Sequence, residues 1–110
     1  MILYNETVSV DNSVAGEWLQ WMKEEHIPAV MGTGFFLSNQ IARLLNELDN
    51  GGTTYAVQYY CRSMVDLEEY QRDHAPELQR RHQQRFEGKF VIFSSMLEVV
   101  AADVERTNRS

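Results

Sequence analysis

The sequence holds a single cysteine, Cys61, among its 110 residues. No intrachain disulfide can form, and a zinc site built on cysteines is excluded. No partner at metal-ligand spacing accompanies the thiol, which argues against a catalytic cysteine. Proline is scarce too, with only Pro28 and Pro76, and no proline-rich linker divides the chain. Basic charge is in deficit: ten Lys and Arg against sixteen Asp and Glu give a formal charge of −6. Nucleic acids demand a basic surface that displaces counterions, and anionic membranes attract polybasic segments, so neither partner is expected. Arg80, Arg81 and Arg85 do cluster around His82, but Glu77 and Glu87 dilute that run into a solvated helix face. No apolar run approaches the roughly 20 residues of a bilayer span. Met1 leads into Ile2, Leu3 and Tyr4 without a basic segment, so no signal peptide is read and the cytoplasm is the expected location.

What the chain does have is a pattern carried twice. Acid-His-x-Pro-x-aliphatic occurs around His26 and Pro28 and again around His74 and Pro76, at a constant offset of 48 residues. Each copy closes a helix-like stretch and precedes a strand-like one. Residues 2–10 alternate, with Ile2, Tyr4, Val8 and Val10 on one face and Asn5, Thr7 and Ser9 on the other, as in a half-buried strand. Asp11, Asn12 and Ser13 predict a helix cap, and Val14, Trp18, Met22 and His26 mark an amphipathic helix that Pro28 ends or restarts.

Residues 35–45 and 53–61 read as strands two and three, joined by a hairpin signal at Asp49, Asn50, Gly51 and Gly52. Ser63 is placed to cap a second helix running from Met64 into the eighties, kinked or restarted at Pro76. Glu87 and Gly88 stop it, and residues 90–100 form the fourth strand. The reading is one domain over residues 1–100 with a polar tail at 101–110.

The order βαββαβ predicts an α+β ferredoxin-like fold: a four-stranded antiparallel sheet with two helices on one face. The later strands carry apolar residues on both parities: Phe35, Leu37, Ile41 and Leu45 oppose Phe36, Ala42 and Leu44. Two helices cover only one side of a sheet, so the second face is expected to pack on another copy as a homodimer.

In this order the residues resemble an uncharacterised bacterial domain-of-unknown-function family with the dimeric α/β-barrel form of the ferredoxin-like fold. The likeness is carried by Tyr4-Asn5-Glu6-Thr7-Val8, by residues 18–28 and 54–59, by His74-Ala75-Pro76, and by residues 86–91. It implies the fold and a dimer, and brings no assigned reaction. The wider superfamily that the fold resembles includes cofactor-free monooxygenases, muconolactone isomerases and haem-binding members, and fold analogy alone does not select among them.

Chemistry is expected first from the three histidines, the side chains that ordinarily titrate near neutral pH. His26 and His74 are the candidate acid–base groups; each alternatively caps a helix C-terminus. His82 lies on the same helical stripe as His74 and Leu78. Polar residues within strands add Asn5 and Gln58, either satisfied structurally or orienting a ligand beside Tyr55. Arg43, among apolar neighbours, needs a carboxylate or an anionic ligand. The ligand-binding candidates are therefore His26, His74, His82, Gln58, Asn5, Tyr55 and Arg43. No metal-site spacing is present, and neither metal nor other cofactor is expected. The leading functional reading is a homodimer that binds a small apolar or aromatic molecule. The alternatives are a cofactor-free monooxygenase- or isomerase-like enzyme using a histidine as acid or base, and a structural or protein-interaction module.

Overall fold

The computed structural model describes residues 1–46 and 51–103. The chain runs β1 (Ile2–Asp11), α1 (Ala15–Trp21), a π-helical turn (Met22–His26), α2 (Ile27–Met31) and β2 (Phe36–Arg43). It continues through β3 (Gly52–Cys61), α3 (Met64–Asp73), α4 (Ala75–Arg85) and β4 (Phe90–Glu98). The four strands form one antiparallel sheet in the order β2-β3-β1-β4, the expected ferredoxin-like arrangement. The predicted hairpin residues Asp49 and Asn50, and residues 104–110 of the predicted tail, lie outside the described residues.

Strict alternation in β1 buries Ile2, Tyr4, Glu6, Val8 and Val10 on one face, where β3 contributes Tyr55, Val57, Tyr59 and Cys61. The helices close this face with Trp18, Met22, Val30, Leu67, Tyr70 and Leu78. Fully buried side chains such as Val8, Val57 and Leu67 each contribute roughly 1.5–3 kcal/mol through lost water contact. In β2 a bulge between Phe36 and Ser38 inverts the side-chain alternation. Phe36 and Ile41, expected on opposite faces, therefore both turn toward the helices, and the strand is shorter than the predicted 35–45.

The capping residues expected before α1 do something else. Asp11 Oδ1 accepts from the Ser13 backbone N–H at 2.9 Å and from the Ser13 hydroxyl, forming a local turn, and α1 starts at Ala15 behind Val14, which provides no side-chain cap. Ser63 does cap α3, accepting from the Asp66 N–H at 3.2 Å.

Of the two expectations for Pro28 the restart holds: it stands in the first turn of α2, and a wide turn comes before it. The Ile27 N–H reaches five residues back to the Met22 carbonyl. Trp18, Met22, His26 and Val30, four residues apart, are all buried. In an α-helix a step of four overshoots a full turn by about 40°. The wider turn takes up that drift and keeps all four side chains on the core.

The opposite sheet face is open. Val91 is 71% and Phe93 62% exposed, and Leu97 beside them is also exposed. Across this face runs a line of side-chain amides: Gln40 Nε2 donates to Gln58 Oε1 at 2.7 Å, and Gln58 Nε2 to Asn5 Oδ1 at 3.1 Å.

Candidate functional site

The site grows from a residue whose type conflicts with its position. Glu6 occupies an inward position of β1 between Tyr4 and Val8, so the pleat carries its carboxyl into the core side of the sheet, 8% exposed. Its one hydrogen bond among the described residues is from the Tyr4 hydroxyl to Oε2, a long 3.4 Å. Burial without a cation raises the Glu6 carboxyl to about 7, with the Tyr4 bond opposing only in part. The surrounding phenols respond in turn. Tyr4 is pushed up to about 12 by burial and by the Glu6 charge, and Tyr59 and Tyr70 are raised by the same causes. The Tyr59 hydroxyl is fully buried and has no hydrogen-bond partner among the described residues.

Glu6 opens onto a cleft of about 420 Å³ between the sheet and α4. His26 and His82 line the same cleft, Phe90 and Ile92 of β4 give it an apolar wall, and Arg80 stands at its lining with Ser94. The His26 and His82 rings are 5.3 Å apart. His26 is held against Trp21, ring to ring at 5.1 Å, and His82 stacks flat on Phe90 at 4.0 Å with planes 2° apart. The Trp18 indole N–H donates to His82 Nε2 at 2.9 Å. An acceptor nitrogen carries no proton, so the neutral His82 ring is the Nδ1–H tautomer. Burial lowers both histidines to about 4, and His82 is lowered further by His26 beside it. The expected roles are thus exchanged: at neutral pH the two histidines are uncharged, and the carboxyl is the group that titrates.

The π-helical turn has a direct consequence here, because His26 is its last residue. Turns of this kind recur at functional sites, and this one delivers the imidazole into the core. His26 also lines a second cleft, about 340 Å³, between the first helical segment and α4, with Trp21, Glu25, Arg81 and Arg85. Arg85 is paired there with Glu17, and Arg81 with Glu77 at 3.1 Å.

The other sequence candidates lie elsewhere. His74 sits at the junction of α3 and α4, against Phe35 and Tyr70, and lines neither cleft. Its backbone N–H bonds the Tyr70 carbonyl, which closes α3. The pattern symmetry between His26 and His74 is therefore not a symmetry of place: the structure joins His26 to His82. Gln58 and Asn5 lie on the open sheet face, within the amide line. Tyr55 and Arg43 share a small cleft with Leu19 and Lys23 on the far side of Trp18. Among the described residues no group of three or more His, Cys, Asp or Glu could hold a metal ion.

Glu6 was legible as a missed signal. In an otherwise alternating strand it is the one charged residue at an inward position, between Tyr4 and Val8.

Comparison with solved structures places this geometry in a wide group. A dimeric ferredoxin-like protein from an uncultured marine organism superposes with a TM-score of 0.71 and 12% identity, covering 96% of this chain and 100% of its own. HapK from Hahella chejuensis gives 0.70 at 9% identity, covering 96% and 99%. A MhuD mutant with two manganese protoporphyrin IX molecules bound per active site gives 0.62 at 18% identity, covering 96% and 100%. At such identities the likeness is one of fold. No curated protein matches in sequence. The model of a domain of unknown function, DUF4286, matches residues 1–100, and the chain belongs to that family.

Proposed function

We propose that this protein binds a small, mainly apolar or aromatic molecule in the cleft between sheet and α4, and that it works as a homodimer through the open sheet face. One observation carries the binding reading: the buried Glu6 carboxyl, held by a single long hydrogen bond, faces the same cleft as His26 and His82. Burying a carboxyl is costly unless it is well partnered. A stabilising structural role would call for a cation or several short bonds, and Glu6 has neither among the described residues. The cleft volume of about 420 Å³ falls in the range of small-molecule sites. Phe90 and Ile92 would cover the apolar body of the ligand, while Glu6 and the neutral imidazoles would orient one polar group. The homodimer rests on the exposed Val91, Phe93 and Leu97 surface, and dimeric ferredoxin-like neighbours agree with it.

The test is saturation-transfer NMR of the purified protein against a panel of one- and two-ring ketones, phenols and hydrocarbons, beside native mass spectrometry. Members of the panel with a polar group should bind the wild type and lose binding in Ile92→Trp, which fills the cleft from its apolar wall. Binding that is unchanged by Ile92→Trp, or absent across the panel, overturns the assignment of the cleft.

A further inference from the structure

Resting on that binding reading, we propose that the cleft catalyses enolisation: Glu6 removes a proton from the carbon beside a ketone carbonyl while the Nδ1–H of His82 donates to the carbonyl oxygen. The substrate class is a small ring-bearing ketone with at least one α-hydrogen.

Three geometrical facts lead there. Tyr4 engages Oε2 of Glu6, and Oε1 has no partner among the described residues, so one oxygen is oriented and the other is available. His82 is fixed on two sides, by the Trp18 indole on Nε2 and by Phe90 beneath its plane. Its Nδ1–H is the remaining donor of the ring, and it has no hydrogen-bond partner among the described residues. Glu6 and His82 line one cleft, with Ile92 and Phe90 giving it an apolar wall. A neutral, fixed donor suits an oxygen that becomes negative during reaction, because it costs no reorganisation when the charge develops. The neighbouring carboxylate is the base, and a base whose proton affinity lies near the working pH serves best. Burial gives Glu6 such an affinity, at about 7.

The step balances without any further reagent. The α C–H bond breaks and its proton goes to Glu6. The C–H electron pair becomes the new C=C bond, and the carbonyl π pair moves onto oxygen, where His82 donates. Return of the proton to the same carbon gives exchange with solvent, and its return to a conjugated carbon gives an isomer. Nothing is oxidised or reduced.

The probe is 1-indanone, a two-ring ketone whose exchangeable C–H bonds lie on one carbon, followed by NMR in deuterated buffer with saturation transfer on the same samples. The wild type should incorporate deuterium faster than buffer alone, with a rate that rises through an apparent pKa of about 7. Glu6→Gln should cut the protein-dependent rate by at least about 100-fold while 1-indanone still binds. Should Glu6→Gln prove unfolded by its melting curve, the wild-type profile decides, and a rate without a titration between pH 5 and 9 overturns the assignment. Bound 1-indanone with no exchange above buffer, or full exchange in Glu6→Gln, sinks the enolisation and leaves the binding site standing. Absence of 1-indanone binding overturns the enolisation of this substrate class, and absence of binding across the whole panel of ketones, phenols and hydrocarbons removes the binding site with it.

Discussion

The indole N–H of Trp18 donates to Nε2 of His82 at 2.9 Å, tying the first helix to α4 across 64 residues of sequence. This contact fixes the tautomer of His82. It makes Nε2 the acceptor, puts the ring proton on Nδ1, and with the Phe90 stack leaves the imidazole one orientation.

Trp18→Phe keeps an aromatic ring in the core and removes only the donor. The buried acceptor is then left unsatisfied, at a cost of about 1–3 kcal/mol. Nitrogen-15 shifts of the imidazoles should show His82 as a single Nδ1–H tautomer in the wild type and a mixture in the variant. A merely structural role for Trp18 would lower stability without moving that equilibrium. An Nε2–H tautomer in the wild type would contradict the hydrogen-bond direction.

The site makes stability depend on pH in opposing ways. His26 and His82 are lowered from 6.5 to about 4 in the fold. The unfolded chain therefore binds more protons between those values, and stability is lost as pH falls from 6.5. Glu6 is raised from 4.5 to about 7, so the folded form holds the extra proton and stability is lost as pH rises through that window. Two histidines outweigh one carboxyl below about pH 7, and above it Glu6 dominates. Chemical denaturation across pH 4 to 9 should place maximal stability at about pH 7, where the unfolded histidines and folded Glu6 hold equal numbers of protons. Glu6→Gln removes the carboxyl's share: its stability relative to wild type should grow between pH 5 and 8, by on the order of 3 kcal/mol. A difference that is flat with pH would mean that Glu6 is not held protonated.

Much of the fold could be read from the sequence because its signals are local. Alternation in β1, the Ser63 cap and Gly51 ahead of β3 each act over a few residues, and the element order then leaves few topologies. The site was harder. Reading histidines as the neutral-pH groups uses the free side chain, whereas desolvation moves His26 and His82 out of that range and moves Glu6 into it. The repeat around His26 and His74 suggested a pair by symmetry, but His26 is carried inward by a π-turn and His74 closes α3. Gln58 and Asn5 were recognisable as polar residues within strands, yet which face they occupy follows from register. Both sit opposite the cleft, bonded to each other.

The open face gives the last prediction. Phe93 and Val91 stand on β4, the edge strand beside the central β1, 62% and 71% exposed. Apolar side chains in such a patch gain free energy only when covered. In the amide line Gln58 and Asn5 each donate and accept, Asn5 Nδ2 donating on to Thr7 Oγ1 at 3.1 Å, so a second copy seated there need supply a donor only to the Gln40 side-chain carbonyl, which has no partner among the described residues. Phe93→Asp would place a carboxylate in that contact without touching the core. Sedimentation should show a dimer for the wild type and a monomer for Phe93→Asp, with 1-indanone binding retained in the variant because the cleft lies on the other face. A wild type that sediments as a monomer at all concentrations would rule the dimer out. Loss of indanone binding in Phe93→Asp would instead show that the two faces of the sheet are coupled.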